Sequence, residues 1–233
     1  MMKGWLKYLF RPYVVKGARW FFPAPLAKQF SNLAALSRLS RWLKDHPCRN
    51  DQQDRYALYD FLVKTEHLDS PIDFLEFGVC RGRSLKWWCQ NIACADARFV
   101  GFDCFRGLPE DWGSTPAGTF DTKGCVPEID DNRVSFVVGL YQDTVHRFME
   151  EYSSDRRKVI HLDSDLYSST LFVLAKLASH LRPRDILIFD DFGSIRMAQH
   201  EFRAFEDFCG AFRVSVKSLA ATSLLETAAV MVL

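Results

Sequence analysis

Between residues 73 and 191, short apolar runs alternate with segments of helical character, and this alternation limits the folds open to the chain. The runs are DFLEFGV (73–79), RFVGFD (98–103), RVSFVVG (133–139), KVIHLD (158–163) and DILIFDD (185–191). Continuous apolar strands separated by helices are typical of a parallel sheet covered on both faces. Two later runs, FRVSVKSL and TAAVMVL, predict a terminal strand pair. We therefore predict an α/β fold with a doubly wound, mostly parallel, seven-stranded Rossmann-like sheet.

The first 50 residues differ from the rest in charge. They carry ten cations and one anion, whereas the whole chain has 30 Lys and Arg against 29 Asp and Glu, so the remainder has a net charge of −8. We predict a basic helical arm or lid over residues 1–50 and one domain over residues 51–233. The arm would dock on an acidic surface of the same chain or of a partner subunit in a homo-oligomer. Alternatively, it would contact a membrane peripherally through residues 1–20.

Several classes of protein are not favoured by the sequence. The net charge of +1 gives no reason to expect a nucleic-acid partner. Neither a run of about 18 apolar residues nor a signal peptide is recognisable. The seven cysteines are scattered without a C-x-x-C pair, which favours reduced thiols over disulfides or zinc. We therefore expect a cytoplasmic protein.

A glycine-containing turn joins the first apolar run to a predicted helix that begins near Ser84. Glycine at position 78 permits a sharp turn, and the free N–H groups at a helix start can hold a carboxylate. Asp103 ends the next strand, where an acid accepts hydrogen bonds from ribose hydroxyls, although a capping role is the alternative. A dinucleotide fingerprint would have glycine at Cys80, and Glu76 suits an ammonium group better than a phosphate. The pattern predicts a nucleoside ligand that carries an amino acid.

Pairs of aspartates follow two other apolar runs. Asp163 and Asp165 end one strand, and Asp190 and Asp191 end the next. Carboxylates that converge at one sheet edge raise each other's pKa values unless a cation compensates them, and hard oxygen ligands suit Mg²⁺. Capping or turn aspartates are the alternative interpretation. The sequence alone does not decide whether Asp163 or Asp165 is the metal ligand.

The stretch 106–132 is long and irregular, with four glycines and three prolines. Loops of this length inside compact domains are usually binding loops or disordered. Because strands flank it, we expect it to cover the carboxyl edge of the sheet, where ligands of open α/β sheets bind. It is a candidate substrate lid.

Five stretches together resemble the macrocin/mycinamicin-type sugar O-methyltransferases, which are Mg²⁺-dependent class I methyltransferases. The stretches are FLEFGVCRGRS, VGFDCFRGLPEDW, VVGLYQDTV, IHLDSDLYSST and LIFDDFG. They run in the family's order from residue 74 to residue 193. After Gly193 the chain reads SIRMAQHEFRAF and departs from the family's pattern, which bears on the acceptor.

The resemblance implies S-adenosylmethionine as the cofactor. It assigns Glu76, Gly78, Gly82 and Ser84 to the methionine part and Asp103 to the ribose. Gly139 and Asp143 fall in the segment that would line the adenine side. Residues 51–233 would then be an S-adenosylmethionine-dependent methyltransferase domain.

The resemblance also assigns Asp163, Asp190 and Asp191 to the metal, Asp163 to general base catalysis, and Asp165 to a supporting position. The expected reaction is methyl transfer to a hydroxyl of a small molecule, a sugar or a vicinal diol, in natural product biosynthesis. Two alternatives stay open. One is a metal-independent methyltransferase, and the other is a non-catalytic binding module that docks through the basic arm.

Overall fold

The structure is a computed structural model that describes residues 24–193 and 198–233. Within these ranges the strands are β1 (Arg49–Gln52), β2 (Ile72–Phe77), β3 (Arg98–Asp103), β4 (Val134–Val138), β5 (Arg157–Leu162), β6 (Ile186–Phe189), β7 (Val216–Thr222) and β8 (Ala228–Val232). The helices are α1 (Ala24–Asp45), α2 (Arg55–Thr65), α3 (Arg83–Asn91), α4 (Tyr141–Glu151), α5 (Tyr167–Leu177), a 3₁₀ turn (Ala178–His180) and α6 (Glu201–Phe212). The predicted membrane contact through residues 1–20 lies outside the described residues.

The described strands form one sheet in the order β1-β7-β8-β6-β5-β2-β3-β4. Its neighbours are parallel except where β8 runs antiparallel to β6 and β7. This confirms the predicted doubly wound fold and its terminal strand pair. The sheet has one strand more than the predicted seven, because β1 joins the edge next to β7. The sequence of β1, RNDQ, has no apolar residue, so no periodicity marked it.

The central strands form because their side chains are buried on both faces. Every residue of β2 and β6 is buried, and two apolar clusters lie on the two sides of the sheet. Apolar area removed from water contributes about 25 cal/mol per Å², so such strands are the main source of the fold's stability.

Helix α1 belongs to the predicted basic arm and packs on this core. Ala35 and Leu39 are buried, and the Trp42 ring lies 5.4 Å from the ring of Phe192. The helix begins at Ala24, and Pro25 falls in its first turn, where proline is tolerated. The division of the chain at residue 50 stays a prediction.

The strand ends bring the predicted site residues to one edge of the sheet. Phe77 of β2 pairs with Phe102 of β3 and Leu162 of β5, and Leu162 pairs with Phe189 of β6. Gly78, Asp103, Asp163 and Asp190 end or directly follow these strands. The strand order reverses between β2 and β5, because β3 and β4 extend the sheet on one side of β2 whereas β5 and β6 extend it on the other. Ligands of open α/β sheets bind at such a switch point.

In the described part of the chain, no helix is both long enough and apolar enough to cross a membrane.

Candidate active site

A cavity of about 780 Å³ lies over the carboxyl edge of the sheet. Its walls come from the turn after β2, the ends of β3, β5 and β6, the start of α2, and the long loop after β3. The predicted residues that line it are Gly78, Ser84, Asp103, Gly139, Asp163, Asp165, Asp190 and Asp191. One cavity therefore contains both the nucleoside-type turn and the aspartate pairs.

The turn after β2 requires glycine at position 78. Its φ is +99°, and a Cβ there would lie 1.7 Å from the carbonyl oxygen of Asp163. The backbones of the β2 and β5 ends therefore touch directly, which only glycine permits. Gly82 caps α3 in the left-handed region with φ +68°. Gly139 lines the cavity, whereas the side chain of Asp143 is exposed and the neighbouring Gln142 lines the cavity instead.

The carboxylate of Asp103 holds two turns together. Its Oδ2 accepts hydrogen bonds from the backbone N–H groups of Val79 (2.9 Å) and Cys80 (2.7 Å). Its Oδ1 accepts one from the N–H of Phe105 at 2.7 Å. An ionised carboxylate has about four acceptor sites, so Asp103 keeps capacity for a ligand hydroxyl while it fixes the turn.

A buried polar chain lies beneath this turn. Glu76 is fully buried, and its Oε1 accepts hydrogen bonds from the Ser84 hydroxyl and from His161 Nδ1, the latter at 3.0 Å. The Tyr59 hydroxyl lies 3.0 Å from His161 Nε2, so the imidazole ring joins Tyr59 to Glu76. Glu76 Oε2 is buried without a hydrogen-bond partner. That unpaired oxygen fits a donor such as the ammonium group that the sequence predicted.

The four strand-end aspartates converge. Oxygen atoms of Asp163, Asp165 and Asp191 lie within 4.8 Å of one another, and Asp163 and Asp190 form a second such set with His161. Asp163 belongs to both sets. Asp190 is also held by the Thr227 hydroxyl, which donates to Oδ1 at 3.3 Å.

Crowding and burial raise the pKa values of these carboxyl groups. Burial, followed by the charges of Asp190 and Asp165, holds the pKa of Asp163 well above its usual range. Burial and the neighbouring Asp191 raise the pKa of Asp165 to about 8, and burial and Asp190 raise that of Asp191 to about 6. A bound cation would relieve this repulsion, so the cluster has the charge and the oxygen donors of a divalent metal site.

The loop over residues 106–132 contributes the outer wall. Leu108, Pro109, Trp112 and Phe120 line the cavity together with Tyr56 of α2. Leu108 N–H donates to Thr119 O at 2.9 Å, so the loop is closed on itself. This part of the cavity wall is therefore largely aromatic and apolar.

Comparison with known proteins decides the family. A profile described as a methyltransferase domain matches residues 75–192, just over half of the chain. The chain belongs to this methyltransferase family. The matched range contains the glycine turn, Asp103 and all four aspartates of the cluster.

Solved structures show that the methyltransferase has the expected fold. The calicheamicin methyltransferase CalS11 is 22% identical, with a TM-score of 0.56 over 85% of this chain and 91% of that one. The O-methyltransferase NovP is 17% identical, with a TM-score of 0.56 over 88% and 98%. An O-methyltransferase from Bacillus cereus in complex with SAH is 16% identical, with a TM-score of 0.50 over 89% and 90%. No curated protein matches by sequence.

Arg55 is a site residue that the sequence did not predict. It begins α2 of the methyltransferase, after the capping Asp54. Its Nη2 lies 2.5 Å from Asp190 Oδ2, and its Nη1 lies 3.6 Å from Asp163 Oδ2. One guanidinium group thus faces the whole aspartate cluster and compensates only part of its charge. No feature of the sequence distinguishes this arginine from a solvated one at a helix start.

Glu201 is the second unpredicted residue. It begins α6, is fully buried, and accepts hydrogen bonds from the N–H groups of Ser164 (3.2 Å) and Asp191 (3.1 Å). Burial and the charge of Asp191 raise the pKa of Glu201 well above its usual range. A sequence signal existed, because Glu201, Phe205 and Phe208 share the helical spacing of the buried face of α6.

Proposed function

We propose that this methyltransferase transfers a methyl group from S-adenosylmethionine to a hydroxyl of a small molecule, with the help of one divalent cation. The observation that carries the proposal is that four aspartates converge at the edge of a cavity that also contains the glycine turn and Asp103. A nucleoside cofactor and an acidic cation site in one cavity fit metal-assisted group transfer.

The cofactor would bind along the ends of β2 and β3. The turn at Gly78 and Gly82 and the start of α3 offer backbone N–H groups for the methionine carboxylate. Glu76 and Ser84 would contact the methionine part of the cofactor. Asp103 would accept hydrogen bonds from the ribose. Gly139 would line the adenine side, with Asp143 in the same segment. The Bacillus cereus O-methyltransferase, whose structure contains SAH, supports this choice of cofactor.

The cation would be held by Asp163, Asp190 and Asp191, with Asp165 in support. Few carboxylate ligands with positions left for water and substrate suit Mg²⁺. When bound, the ion would lower the pKa of the acceptor hydroxyl and compensate the charge of the cluster.

Asp163 would accept the proton of the acceptor. Its carboxylate lines the cavity at the proposed cation position, where a general base would have to stand. In the transfer, the acceptor oxygen would form a bond to the methyl carbon as the carbon–sulfur bond breaks, with its electron pair left on sulfur. The products would be a methyl ether, S-adenosylhomocysteine and a proton on Asp163. The walls at Tyr56, Trp112 and Phe120 would exclude water and orient the acceptor, and orientation is worth up to about 7–11 kcal/mol in the best cases.

The acceptor would be a sugar or another vicinal diol of a natural product. A second CalS11 structure, 22% identical with a TM-score of 0.52, is named a TDP-rhamnose 3'-O-methyltransferase of calicheamicin biosynthesis, which supports a sugar. Two adjacent hydroxyls would suit a cation that keeps open positions. We propose that this specificity is that of the macrocin/mycinamicin-type enzymes.

The test is transfer of a radiolabelled methyl group from S-adenosylmethionine to a panel of sugars, nucleotide sugars and catechols, in Mg²⁺ and in EDTA. We expect transfer to a hydroxyl that requires the metal. Asp163→Asn should lower turnover by about 10²–10⁴-fold, the usual worth of a proton acceptor. Asp155→Asn, which changes a fully exposed carboxylate, is the matched control. Full activity in EDTA would favour a metal-independent methyltransferase instead.

A further inference from the structure

Glu201 connects the two acidic strand ends. The β5–β6 pairing ends with Leu162 and Phe189, followed by one bond from Asp190 N–H to Leu162 O at 3.0 Å. Beyond that bond, Glu201 Oε1 accepts from the N–H of Ser164, which directly follows Asp163, and Oε2 accepts from the N–H of Asp191. The carboxylate therefore continues the link between the two segments after the strands have separated.

Both oxygens of Glu201 are committed to these amides. In the described residues, the sets of side chains close enough to hold an ion contain aspartates and His161 but not Glu201. Glu201 therefore does not act as a direct ligand in this arrangement. It acts on Asp163 and Asp191 through the backbone that carries them.

The rest of this helix face is apolar. Phe202, Phe205 and Phe208 are buried and pack in the core, whereas Glu201 is fully buried and both of its oxygens are bonded to the segments that carry the aspartates. A buried carboxylate requires such partners, because an unpaired one is costly to desolvate. The two amides that Glu201 joins therefore explain why an acid stands on this buried face.

We infer that Glu201 is a positioning residue, which holds Asp163 and Asp191 at metal-binding separation by bridging the amides of Ser164 and Asp191. The inference rests on the proposed function, since it requires a cation at the aspartate cluster. Residues that orient metal ligands typically contribute about 10–100-fold in metal affinity.

Manganese titration of the full-length protein tests the inference. The first variant is Glu201→Gln, whose amide oxygen accepts one N–H while its NH₂ group faces the other donor. The second is Glu201→Asp, which keeps the carboxylate but has a side chain that is one methylene shorter. Glu226→Gln is the matched control, because Glu226 is exposed and its charge also acts on Asp191. Calorimetry gives the Mn²⁺ and S-adenosylhomocysteine affinities, and thermal unfolding in EDTA reports on the fold.

We expect Glu201→Gln and Glu201→Asp to bind Mn²⁺ about 10–100-fold more weakly than the wild type. The Mn²⁺ affinity of Glu226→Gln and the S-adenosylhomocysteine affinity of every variant should stay within about threefold, which is well below the effect of a residue that orients a ligand. A purely structural role would instead lower both affinities and the unfolding temperature together, and that result overturns the inference.

Two other outcomes also overturn it. An equal loss in Glu201→Gln and Glu226→Gln would show that only charge matters, and unchanged Mn²⁺ binding in Glu201→Asp would show that the bridge is unnecessary. If Glu201→Gln does not fold, the Glu201→Asp result decides the question. A wild-type protein that binds no Mn²⁺ would overturn the proposed metal site as well, which separates that failure from a failure of the bridge alone.

Discussion

Replacing Arg55 by methionine should make divalent metal bind more tightly. The guanidinium of Arg55 lies on the side of the cluster between Asp163 and Asp190, with its closest contact at 2.5 Å from Asp190 Oδ2. A metal ion that binds these carboxylates has to displace Arg55 from its ion pairs with them. Without Arg55 the metal-free state loses its compensating charge, whereas the metal-bound state loses less.

The size of the effect follows from the geometry. Two unit charges about 4 Å apart interact by about 4 kcal/mol at an effective dielectric constant of about 20. The Arg55 side chain is 39% exposed, so solvent screening reduces the interaction to about 1–2 kcal/mol. Since 1.4 kcal/mol corresponds to a factor of ten, the Mn²⁺ affinity of Arg55→Met should rise about tenfold.

Calorimetric titration with Mn²⁺ at pH 8, where fewer of the aspartates are protonated, measures this change. Arg55→Lys is the control, because it keeps the positive charge and should stay near the wild-type affinity. Thermal unfolding in EDTA should show Arg55→Met to be less stable than the wild type, and Mn²⁺ should stabilise it more. Equal or weaker Mn²⁺ binding by Arg55→Met would refute the idea that the arginine and the metal compete.

Three further predictions concern the turn, the aspartates and the ribose position. Gly78→Ala should destabilise the fold by about 2–4 kcal/mol in chemical unfolding, because its Cβ overlaps a backbone oxygen, whereas Gly210→Ala, with open space around it in α6, should be neutral or slightly stabilising. The folded-state pKa values of Asp165 (about 8) and Asp191 (about 6) lie above the usual pKa of an aspartate, so protons stabilise the folded state. The unfolding temperature in EDTA should therefore fall as pH rises from about 5 to 8, and Mg²⁺ should remove that fall; a flat profile would contradict it. Asp103→Asn should weaken S-adenosylhomocysteine binding by about 1–3 kcal/mol in calorimetry with the fold intact, and wild-type affinity would remove Asp103 from the ribose site.

Much of the fold was predictable because strands that are buried on both faces of a sheet are mostly apolar, and such runs are visible in the sequence. The strands that place Gly78, Asp103 and Asp163 are continuous apolar runs, and their ends therefore meet at one edge. The edge strand β1 could not be predicted in this way, because the sequence RNDQ has no apolar residue and pairs only at the border of the sheet.

The site residues also fall into two groups, those that the sheet places and those that depend on how helices pack. Aspartates at strand ends are placed by the sheet itself, so their convergence followed from the sequence. Arg55 and Glu201 lie on helices, and their contacts reach Asp190 and Ser164, 135 and 37 residues away along the chain. Such contacts depend on how the helices pack on the sheet. The role of Asp143 stays a prediction; this side chain is exposed at the start of α4, and the neighbouring Gln142 is the residue that lines the cavity.

Anomalous diffraction from crystals grown with S-adenosylhomocysteine and Mn²⁺ would show whether the aspartate cluster binds a metal, because the manganese signal locates the ion. We expect one manganese peak in contact with carboxylate oxygens of Asp163, Asp190 and Asp191, in the same cavity as the nucleoside. Crystals that contain S-adenosylhomocysteine at the Gly78 turn but show no manganese at these aspartates, at saturating Mn²⁺, would contradict it.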